Sequence, residues 1–216
     1  MTLSSVSTLR QNEINQVTVN VLMAFSGDFP EGVSRNARLK SIGLALQSQN
    51  YKVLSLRVRG TRYPLNDGNN NPKNGTWNGL PYENVSSPKD FYKSGFHKFY
   101  YGVKSLLKSS VILFQKRKKT DVLYLYLPRF SDTLHLLVLS KLLGIKTFVD
   151  LTEKLSLKNG STIHKIEEWL VPKLASHVNC ISGPLFEELK NKTQSISKVE
   201  VMVDLNRFNN LEHIES

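Results

Sequence analysis

Short β-rich runs alternate with helical patterns along most of this sequence, and this alternation constrains the fold more than any other feature. Residues 17–25 read as a strand, and Leu39, Ile42 and Leu46 then recur at helical spacing. A helix after each strand returns the chain to the start of the next one, so neighbouring strands run parallel. The sequence therefore predicts an α/β, Rossmann-like domain with a mainly parallel sheet and helices on both faces. The predicted strands are 17–25, 51–58, 121–127, 146–151, 177–182 and 198–203, and the predicted helices are 34–49, 161–174, one capped by Asp132 and ended by Gly144, and one opened by Pro184.

A single domain is expected from the length and composition. The 216 residues suffice for one sizeable core, and 40% hydrophobic with 22% charged residues is ordinary for a folded protein. We expect residues 1–16 to form a flexible N-terminal segment, 17–209 the domain, and 210–216 a tail or the start of an interdomain linker.

The expected location is the cytoplasm. Cys180 is the one cysteine and cannot form an internal disulfide, which indicates a reduced, intracellular protein. The start of the sequence does not resemble a signal peptide, and no apolar run approaches the roughly 20 residues of a spanning helix. Peripheral attachment to the cytoplasmic face of a membrane is left open.

The net charge of +11 is concentrated in one segment. Residues 89–119 contain nine Lys or Arg and a single acidic residue, Asp90. Such a patch suits nucleic acid, anionic lipid or phosphorylated substrates, although a solvated surface is the commonest outcome of a charge run.

A helix predicted over 91–114 of that segment has two different faces. One stripe is expected in the core and consists of Phe96, Phe99, Val103, Leu106, Leu107, Ser110 and Phe114. The opposite face interleaves lysines with apolar side chains, which is typical of an interfacial membrane helix or a nucleic-acid surface, with a merely solvated face as the alternative. The candidate membrane-contact residues are Lys98, Tyr101, Lys108, Ile112, Lys116, Arg117, Lys118 and Lys119.

Candidate substrate-binding residues lie where open α/β sheets bind ligands, outside the carboxyl ends of the strands. Gly27 and Gly32 lie in the first such loop, and Ser34 and Arg35 begin the helix after it, whose N-terminus can hold a phosphate. The loop lacks both the G-x-G-x-x-G and the Walker patterns, so a turn that merely needs glycine is the alternative.

Polar side chains also follow the later strands. Asp150, Thr152 and Glu153 end an otherwise apolar strand, where a carboxylate is costly unless it is paired or in use. The further candidates at strand ends are Tyr126, Arg129 and Ser182. Arg129 is a candidate to bind an anionic group, and the alternative is a salt bridge from Arg129 to Asp132.

The polar stretch 59–88 is predicted to be a long loop with a short edge strand near residues 80–85. Trp77 within it either stacks on a sugar or anchors the loop. No Asp-x-Asp pair occurs, and the five histidines lack metal-ligand spacing, so no metal site is expected.

Four segments taken in order carry a resemblance to a known family. They contain Gly32-Val-Ser-Arg35, the run from Asp121 through Leu142-Leu-Gly-Ile-Lys146 to Phe148-Val-Asp150, the stretch 173–189, and Val203-Asp204-Leu-Asn-Arg207-Phe208. Together they resemble the N-terminal domain of the GT-B glycosyltransferases of the retaining group 1 type, over about residues 17–209.

The resemblance implies a domain that binds the acceptor, needs no metal and works beside a C-terminal domain that binds the nucleotide-sugar donor. It also implies membrane contact through basic and aromatic helices in members that act on lipid-linked acceptors. At two positions where the family often carries histidine, this sequence has Tyr126 and Thr152. No catalytic residue is therefore carried over.

Two classes of function stay open on the sequence. The first is the acceptor-binding half of a metal-independent glycosyltransferase of polysaccharide biosynthesis, which transfers a hexosyl group from a nucleotide sugar to a glycan or lipid-linked acceptor. Activity is then expected only with a C-terminal or separate donor-binding domain, which would hold most of the donor, and no other cofactor is expected. The second is a non-catalytic Rossmann-like module that holds an anionic partner on a basic face. Nucleic-acid binding is a third interpretation that rests on charge alone, and nucleic acid is not an expected partner.

Overall fold

The computed structural model describes residues 19–26, 34–59, 72–85, 95–126, 130–152 and 162–199. The predicted N-terminal segment 1–16 and the predicted tail 210–216 lie outside these residues.

One eight-stranded sheet forms the centre of the molecule. Its order is β3-β4-β2-β1-β5-β6-β7-β8, and all neighbours run parallel except the antiparallel pair β3 and β4. The predicted α/β, Rossmann-like fold is confirmed. The strands are β1 Asn20–Ser26, β2 Lys52–Arg59, β3 Asn74–Trp77, β4 Leu80–Asn84, β5 Val122–Tyr126, β6 Lys146–Leu151, β7 His177–Cys180 and β8 Ile196–Lys198.

The polar stretch after β2 contributes more to the sheet than the sequence predicts. The strand near residues 80–85 exists as β4, but it pairs with β2 on one side and with β3 on the other, so the edge of the sheet is β3. Asn78 and Gly79 connect the two strands with positive φ angles of 47° and 81°. Because such a two-residue turn matches the twist of a hairpin, β3 and β4 follow each other directly.

In the part of the chain that the structure describes, five helices flank the sheet. Asp132 does not cap α3 as predicted, because the helix begins at Phe130 and the Asp132 side chain is buried within the first turn. A carboxylate is favoured there by the partial positive charge of the helix N-terminus. The predicted end of α3 is confirmed, since Gly144 has a φ of 70° and the amide of Ile145 donates to the carbonyl of Ser140 at 2.9 Å. The helices are α1 Ser34–Ser48, α2 Gly95–Lys116, α3 Phe130–Leu142, α4 Thr162–Leu174 and α5 Gly183–Leu189, and a 3₁₀ turn, Arg117–Lys119, follows α2.

The helices cover the two faces of the sheet unequally. Leu39 and Ile42 of α1 pack on one face with Met23 and Phe25 of β1. The opposite face carries the other four described helices, whose contributions to that core include Leu113, Leu136, Val171 and Leu185. Since α1 and α2 lie on opposite faces and lead to opposite sides of β1, the connectivity reverses between β1 and β5.

The longest helix, α2, is turned opposite to the prediction. Of the stripe expected in the core, Leu106 and Ser110 are only partly buried, and the rest is exposed, with Phe96 77% and Leu107 62% exposed. The hydroxyl of Ser105 donates to the carbonyl of Val58 on β2. Small side chains let a helix approach its neighbours closely, so α2 packs through Gly102, Ser105, Ser109 and Leu113.

The face of α2 predicted to contact a membrane is correspondingly divided. The prediction that Tyr101 and Ile112 are exposed is wrong, because both are partly buried, and Ile112 packs against the core. Lys116 lies 3.6 Å from a carboxylate oxygen of Glu83, and the guanidinium of Arg117 lies 3.9 Å from the ring centre of Phe114. Lys108, Lys118 and Lys119 are exposed, and the side chain of Lys98 lies outside the described residues.

None of the helices in the described part of the chain has the length and apolarity needed to cross a membrane.

Candidate functional site

The reversal of connectivity between β1 and β5 marks the expected ligand crevice. In open α/β sheets ligands bind beyond the carboxyl ends of the strands at such a switch point. Phe25 of β1 pairs with Tyr126 of β5, and Leu125 pairs with Val149 of β6. Adjacent strands lie about 4.8 Å apart. The ends of β1, β5 and β6 therefore lie side by side at one edge of the sheet.

A buried ion pair lies directly beneath this edge. The guanidinium of Arg38 on α1 donates from Nε to Asp150 Oδ2 at 2.8 Å and from Nη2 to Oδ1 at 3.2 Å. The Tyr124 hydroxyl donates to the same Oδ2 at 2.7 Å. The Asp150 side chain is 0% exposed and that of Arg38 is 10% exposed. Asp150 is thus a paired carboxylate that ties the first turns of α1 to β5 and β6.

The protonation of neighbouring groups follows from that arrangement. Burial by itself would lower the pKa of Arg38, but the hydrogen bonds and charge of Asp150 outweigh it and raise the pKa above its ordinary value. Burial, together with the negative charge of Asp150, raises the pKa of Tyr124 far above its ordinary value. The same two causes raise the pKa of the Cys180 thiol to about 11. All three groups therefore keep their ordinary neutral-pH charge states.

A chain of polar side chains extends from this cluster across the same face of the sheet. Tyr124 also hydrogen-bonds the side chain of Asn179, whose Oδ1 accepts a 2.7 Å hydrogen bond from Ser197. The hydroxyl of Ser197 lies 3.0 Å from Nε2 of His177, and the other ring nitrogen lies 2.8 Å from the hydroxyl of Ser195. These contacts join β5, β7 and β8 beside α1.

An open cavity of about 950 Å³ adjoins this polar chain. Besides Tyr124, Asn179 and His177, its lining includes Val19 and Lys146, which lie at the amino ends of their strands. The cavity therefore lies on the face of the sheet and toward the amino edge. We place the candidate site instead at the carboxyl edge, where the topology predicts ligand binding.

The structure places three of the predicted substrate-binding residues at the carboxyl edge besides Asp150. Tyr126 is half-buried and close enough to Arg38 to influence its pKa. Thr152 is half-buried immediately after β6. Ser182 follows β7 and is engaged as the N-cap of α5, where its hydroxyl accepts from the amide of Leu185 at 3.4 Å.

The structure describes the remaining predicted substrate-binding residues only in part. Ser34 and Arg35 form the start of α1 at this edge, while their side chains lie outside the described residues. Gly27, Gly32, Arg129 and Glu153 lie outside them altogether. The predicted alternative of a salt bridge from Arg129 to Asp132 therefore lies outside them as well.

Arg38 is the site residue that the sequence reasoning missed. It precedes Ile42 by four residues and so lies on the buried stripe of α1, where a cation needs a partner. The lone carboxylate in the apolar run Phe148-Val-Asp150-Leu needs a cation for the same reason. The sequence therefore contained a signal for this ion pair, because Arg38 and Asp150 are opposite charges that each lie within a buried pattern.

Two further predictions concern a metal and Trp77. Among the residues that the structure describes, no group of three His, Cys, Asp or Glu side chains could hold a metal ion.

The ring of Trp77 packs beside α1, with Nζ of Lys40 4.1 Å from its centre. Trp77 thus lies on the face of the sheet and connects β3 to α1.

The fold of this chain is similar to that of solved glycosyltransferase structures. Sucrose-phosphate synthase from Thermosynechococcus elongatus superposes with a TM-score of 0.63 and 9% identity, over 87% of this chain and 49% of that one. Another structure of that enzyme gives 0.55 and 9% identity, over 88% of this chain and 94% of that one. The apo form of the lipopolysaccharide outer core galactosyltransferase WaaB gives 0.52 and 14% identity, over 85% and 46%.

This chain has the fold of one half of a GT-B glycosyltransferase. It spans about half the length of the first synthase structure and of the galactosyltransferase. No protein-family model matches the sequence, and no curated protein sequence matches it either. The comparison with solved structures therefore shows the fold, at sequence identities of 9% to 14%.

Proposed function

We propose that this GT-B half binds the acceptor of a glycosyltransferase and that a second, donor-binding domain completes the enzyme. The proposed reaction transfers a hexosyl group from a nucleotide sugar to a glycan or a lipid-linked acceptor in polysaccharide biosynthesis. The single observation that supports it best is the superposition on about half of two different glycosyltransferases. The order of the segments that resemble the N-terminal halves of this family supports the acceptor side.

The proposed acceptor site is the crevice at the carboxyl edge. Tyr126 and Thr152 supply an aromatic ring and hydroxyl groups, which suit a sugar because sugars offer both apolar faces and many hydroxyls. The further residues proposed for this site are Gly27, Gly32, Ser34, Arg35, Arg129, Glu153 and Ser182.

Asp150 has a supporting role in this proposal. Its carboxylate already accepts three hydrogen bonds and is closed to solvent. We therefore assign it to holding α1 and β6 at the crevice, and not to proton transfer. The donor and any group that assists the chemistry from its side are assigned to the second domain.

The test separates the two halves by their ligands. UDP-glucose, UDP-galactose and GDP-mannose are titrated calorimetrically into the purified chain, and the same chain is applied to an array of free and lipid-linked oligosaccharides. We expect saccharide binding and no binding of the three nucleotide sugars. Thr152→Val and Tyr126→Phe, which each remove one hydroxyl, should weaken saccharide binding roughly three- to tenfold.

A matched control is Gln194→Ala, an exposed side chain in the turn before β8 at the opposite edge of the sheet. It should leave saccharide binding unchanged. Tight nucleotide-sugar binding by the chain alone, or a folded chain that binds no saccharide on the array, would contradict the proposal. The second outcome would favour a non-catalytic module with an anionic partner.

A further inference from the structure

One face of the sheet is covered over only part of its width. Among the described helices, α1 alone contributes apolar side chains to the core on this face, and it packs over β1, β2 and β4. The cavity of about 950 Å³ lies beside α1 on the same face, over β5 to β8. We call it the open groove. Because parallel sheets are normally covered on both faces, the open groove is the place where a further element would complete the described structure.

The floor of the open groove suits the apolar side of a helix. Val122 and Phe148 lie on the floor, and its described lining contains only two charged residues, Asp121 and Lys146, both at the amino edge. The polar side chains of β7 and β8 hydrogen-bond one another, so an occupant need not supply partners for them. The floor from β5 to β8 spans three strand spacings, or about 14 Å. An α-helix with its side chains is about 10–12 Å wide, so one helix fits.

The residues that precede β1 have the sequence pattern of such a helix. Leu3, Val6, Arg10 and Ile14 recur at spacings of three and four, so they share one side of a helix over residues 3–16. The opposite side consists of Ser, Thr, Asn and Gln. Arg10 and Glu13 are the only charged residues in the range 1–18. This low charge matches the open groove, whose floor is almost uncharged.

Arg10 is the one polar member of the apolar side. A guanidinium can stack on aromatic rings. Phe148 and His177 provide such rings in the lining of the open groove, with centres 4.8 Å apart. Arg10 is therefore compatible with a helix that lies in the open groove.

The segment also enters the sheet beside the open groove. Val19, which directly precedes β1, is part of the lining at the amino edge. A helix over residues 3–16 would be about 21 Å long, and the six residues of β6 extend about 20 Å. Residues 17–18 then make the turn into β1, and two residues suffice for a connection of this kind. The length and the attachment point therefore both suit a helix that lies along the strands.

We propose that residues 3–16 form an amphipathic helix that docks in the open groove. Leu3, Val6 and Ile14 pack on the floor, in place of the flexible segment expected from the sequence. The docked helix also contacts Leu46 and so supports α1, whose first half carries Arg38 of the candidate site. This inference does not depend on the acceptor function proposed above.

Residues 200–216 fit the open groove less well. Val199 also belongs to the lining, but the chain leaves there at the carboxyl edge of β8, the outermost strand. The range 200–216 contains five charged residues, compared with two in 1–18. Buried charges are costly, so the N-terminal segment is the better occupant.

Thiol labelling tests whether the open groove is covered. Ala45 and Ser48 are both exposed on α1, but only Ala45 belongs to the lining. Ala45→Cys and Ser48→Cys are each made in the full chain and in a shortened chain that begins at Val17, and their reaction with a maleimide is followed. We expect Ala45→Cys to react at least about tenfold more slowly in the full chain than in the shortened one. Ser48→Cys should react equally fast in both, and the native Cys180 is buried.

Substitutions within the segment test the same contact without shortening the chain. In the full chain that carries Ala45→Cys, Val6→Asp combined with Ile14→Asp places two charges on the proposed docking side. This variant should react as fast as the shortened chain, since burying an unpaired carboxylate is costly. The matched control is Ser5→Asp with Asn12→Asp, which makes the same charge change on the opposite side and should keep the slow reaction. Circular dichroism confirms that each variant is folded.

Three results would overturn the proposal. The first is an equal reaction rate of Ala45→Cys with and without residues 1–16, and the second is slow labelling that persists in the Val6→Asp, Ile14→Asp variant. The third is slow labelling that disappears on dilution together with a dimer in sedimentation experiments, since this would assign the open groove to the segment of a second copy. Slow labelling that is independent of protein concentration and is lost in the Val6→Asp, Ile14→Asp variant alone supports docking within one chain.

Discussion

Replacing Arg38 with methionine tests how the candidate site is held together. Methionine keeps an unbranched apolar side chain but removes both guanidinium hydrogen bonds to Asp150. The Asp150 side chain is 0% exposed and is fixed on β6, so it cannot turn to water. Leaving a buried carboxylate without its cation costs about 3–5 kcal/mol. For a domain of this size each kcal/mol lowers Tm by about 2–4 °C, so we expect a fall of roughly 6–20 °C.

The reverse substitution should cost less. In Asp150→Asn the cation of Arg38 loses its partner, but this side chain is already 10% exposed and its long stem can carry the charge to solvent. Loss of the charged hydrogen bonds should cost about 1.5–3 kcal/mol. The double variant removes both charges, so its cost should be clearly smaller than the sum of the two single costs.

Urea unfolding followed by circular dichroism at neutral pH measures these costs. Lys192→Met is the matched control, because Lys192 pairs with Glu188 at 3.4 Å while both side chains are exposed. Such a surface pair contributes about 0–1 kcal/mol. The reasoning is refuted if Arg38→Met costs no more than Lys192→Met, if Asp150→Asn proves the costlier single change, or if the single costs simply add in the double variant.

Three further outcomes are expected. Burial lowers the pKa of His135, whose ring lies 2.6 Å from the hydroxyl of Ser110, so the unfolded chain binds this proton more tightly than the folded one. Stability should therefore fall as the pH drops below about 6.5, and His135→Gln should reduce that fall in urea unfolding at several pH values; an unchanged slope would contradict the assignment. Burial raises the pKa of Cys180 to about 11, so the native chain should react with a disulfide reagent at mildly alkaline pH much more slowly than the unfolded chain, and equal rates would show that the thiol is accessible. Gly144→Ala should cost about 1 kcal/mol because its φ is 70°, whereas Gly95→Ala, at the start of α2 with open space around it, should cost nothing; equal effects in thermal unfolding would contradict the role of the left-handed turn.

The exposed apolar stripe of α2 illustrates where reasoning from the sequence alone went wrong. The large apolar residues of α2 recur at helical spacing, and such a stripe usually points to the core. In the structure the small residues Ser105 and Ser109 occupy the core side, because their hydroxyls find backbone acceptors and their size permits close packing. Periodicity reports that a helix has two faces, but it does not report which of them meets the neighbouring elements.

Asp150 shows a prediction that was incomplete. An isolated carboxylate in an apolar strand already indicated that this residue is either paired or in use. Its partner, Arg38, lies 112 residues away along the chain. Only the folding of α1 onto β5 and β6 brings the two side chains together. The sequence pattern therefore predicted that Asp150 needs a partner, and the tertiary structure identified that partner as Arg38.

The strand and helix alternation by itself determined that this chain forms an α/β domain with a mainly parallel sheet, because hydrophobic periodicity and turn residues act locally. The end of α3 at Gly144 was also predicted correctly, because the left-handed conformation that ends a helix is a local property of glycine. The order of the strands, the reversal between β1 and β5, the pairing of Arg38 with Asp150 and the outward turn of α2 were decided only in three dimensions. These features depend on contacts between residues far apart in the chain, and no local pattern records which distant partner a side chain will meet.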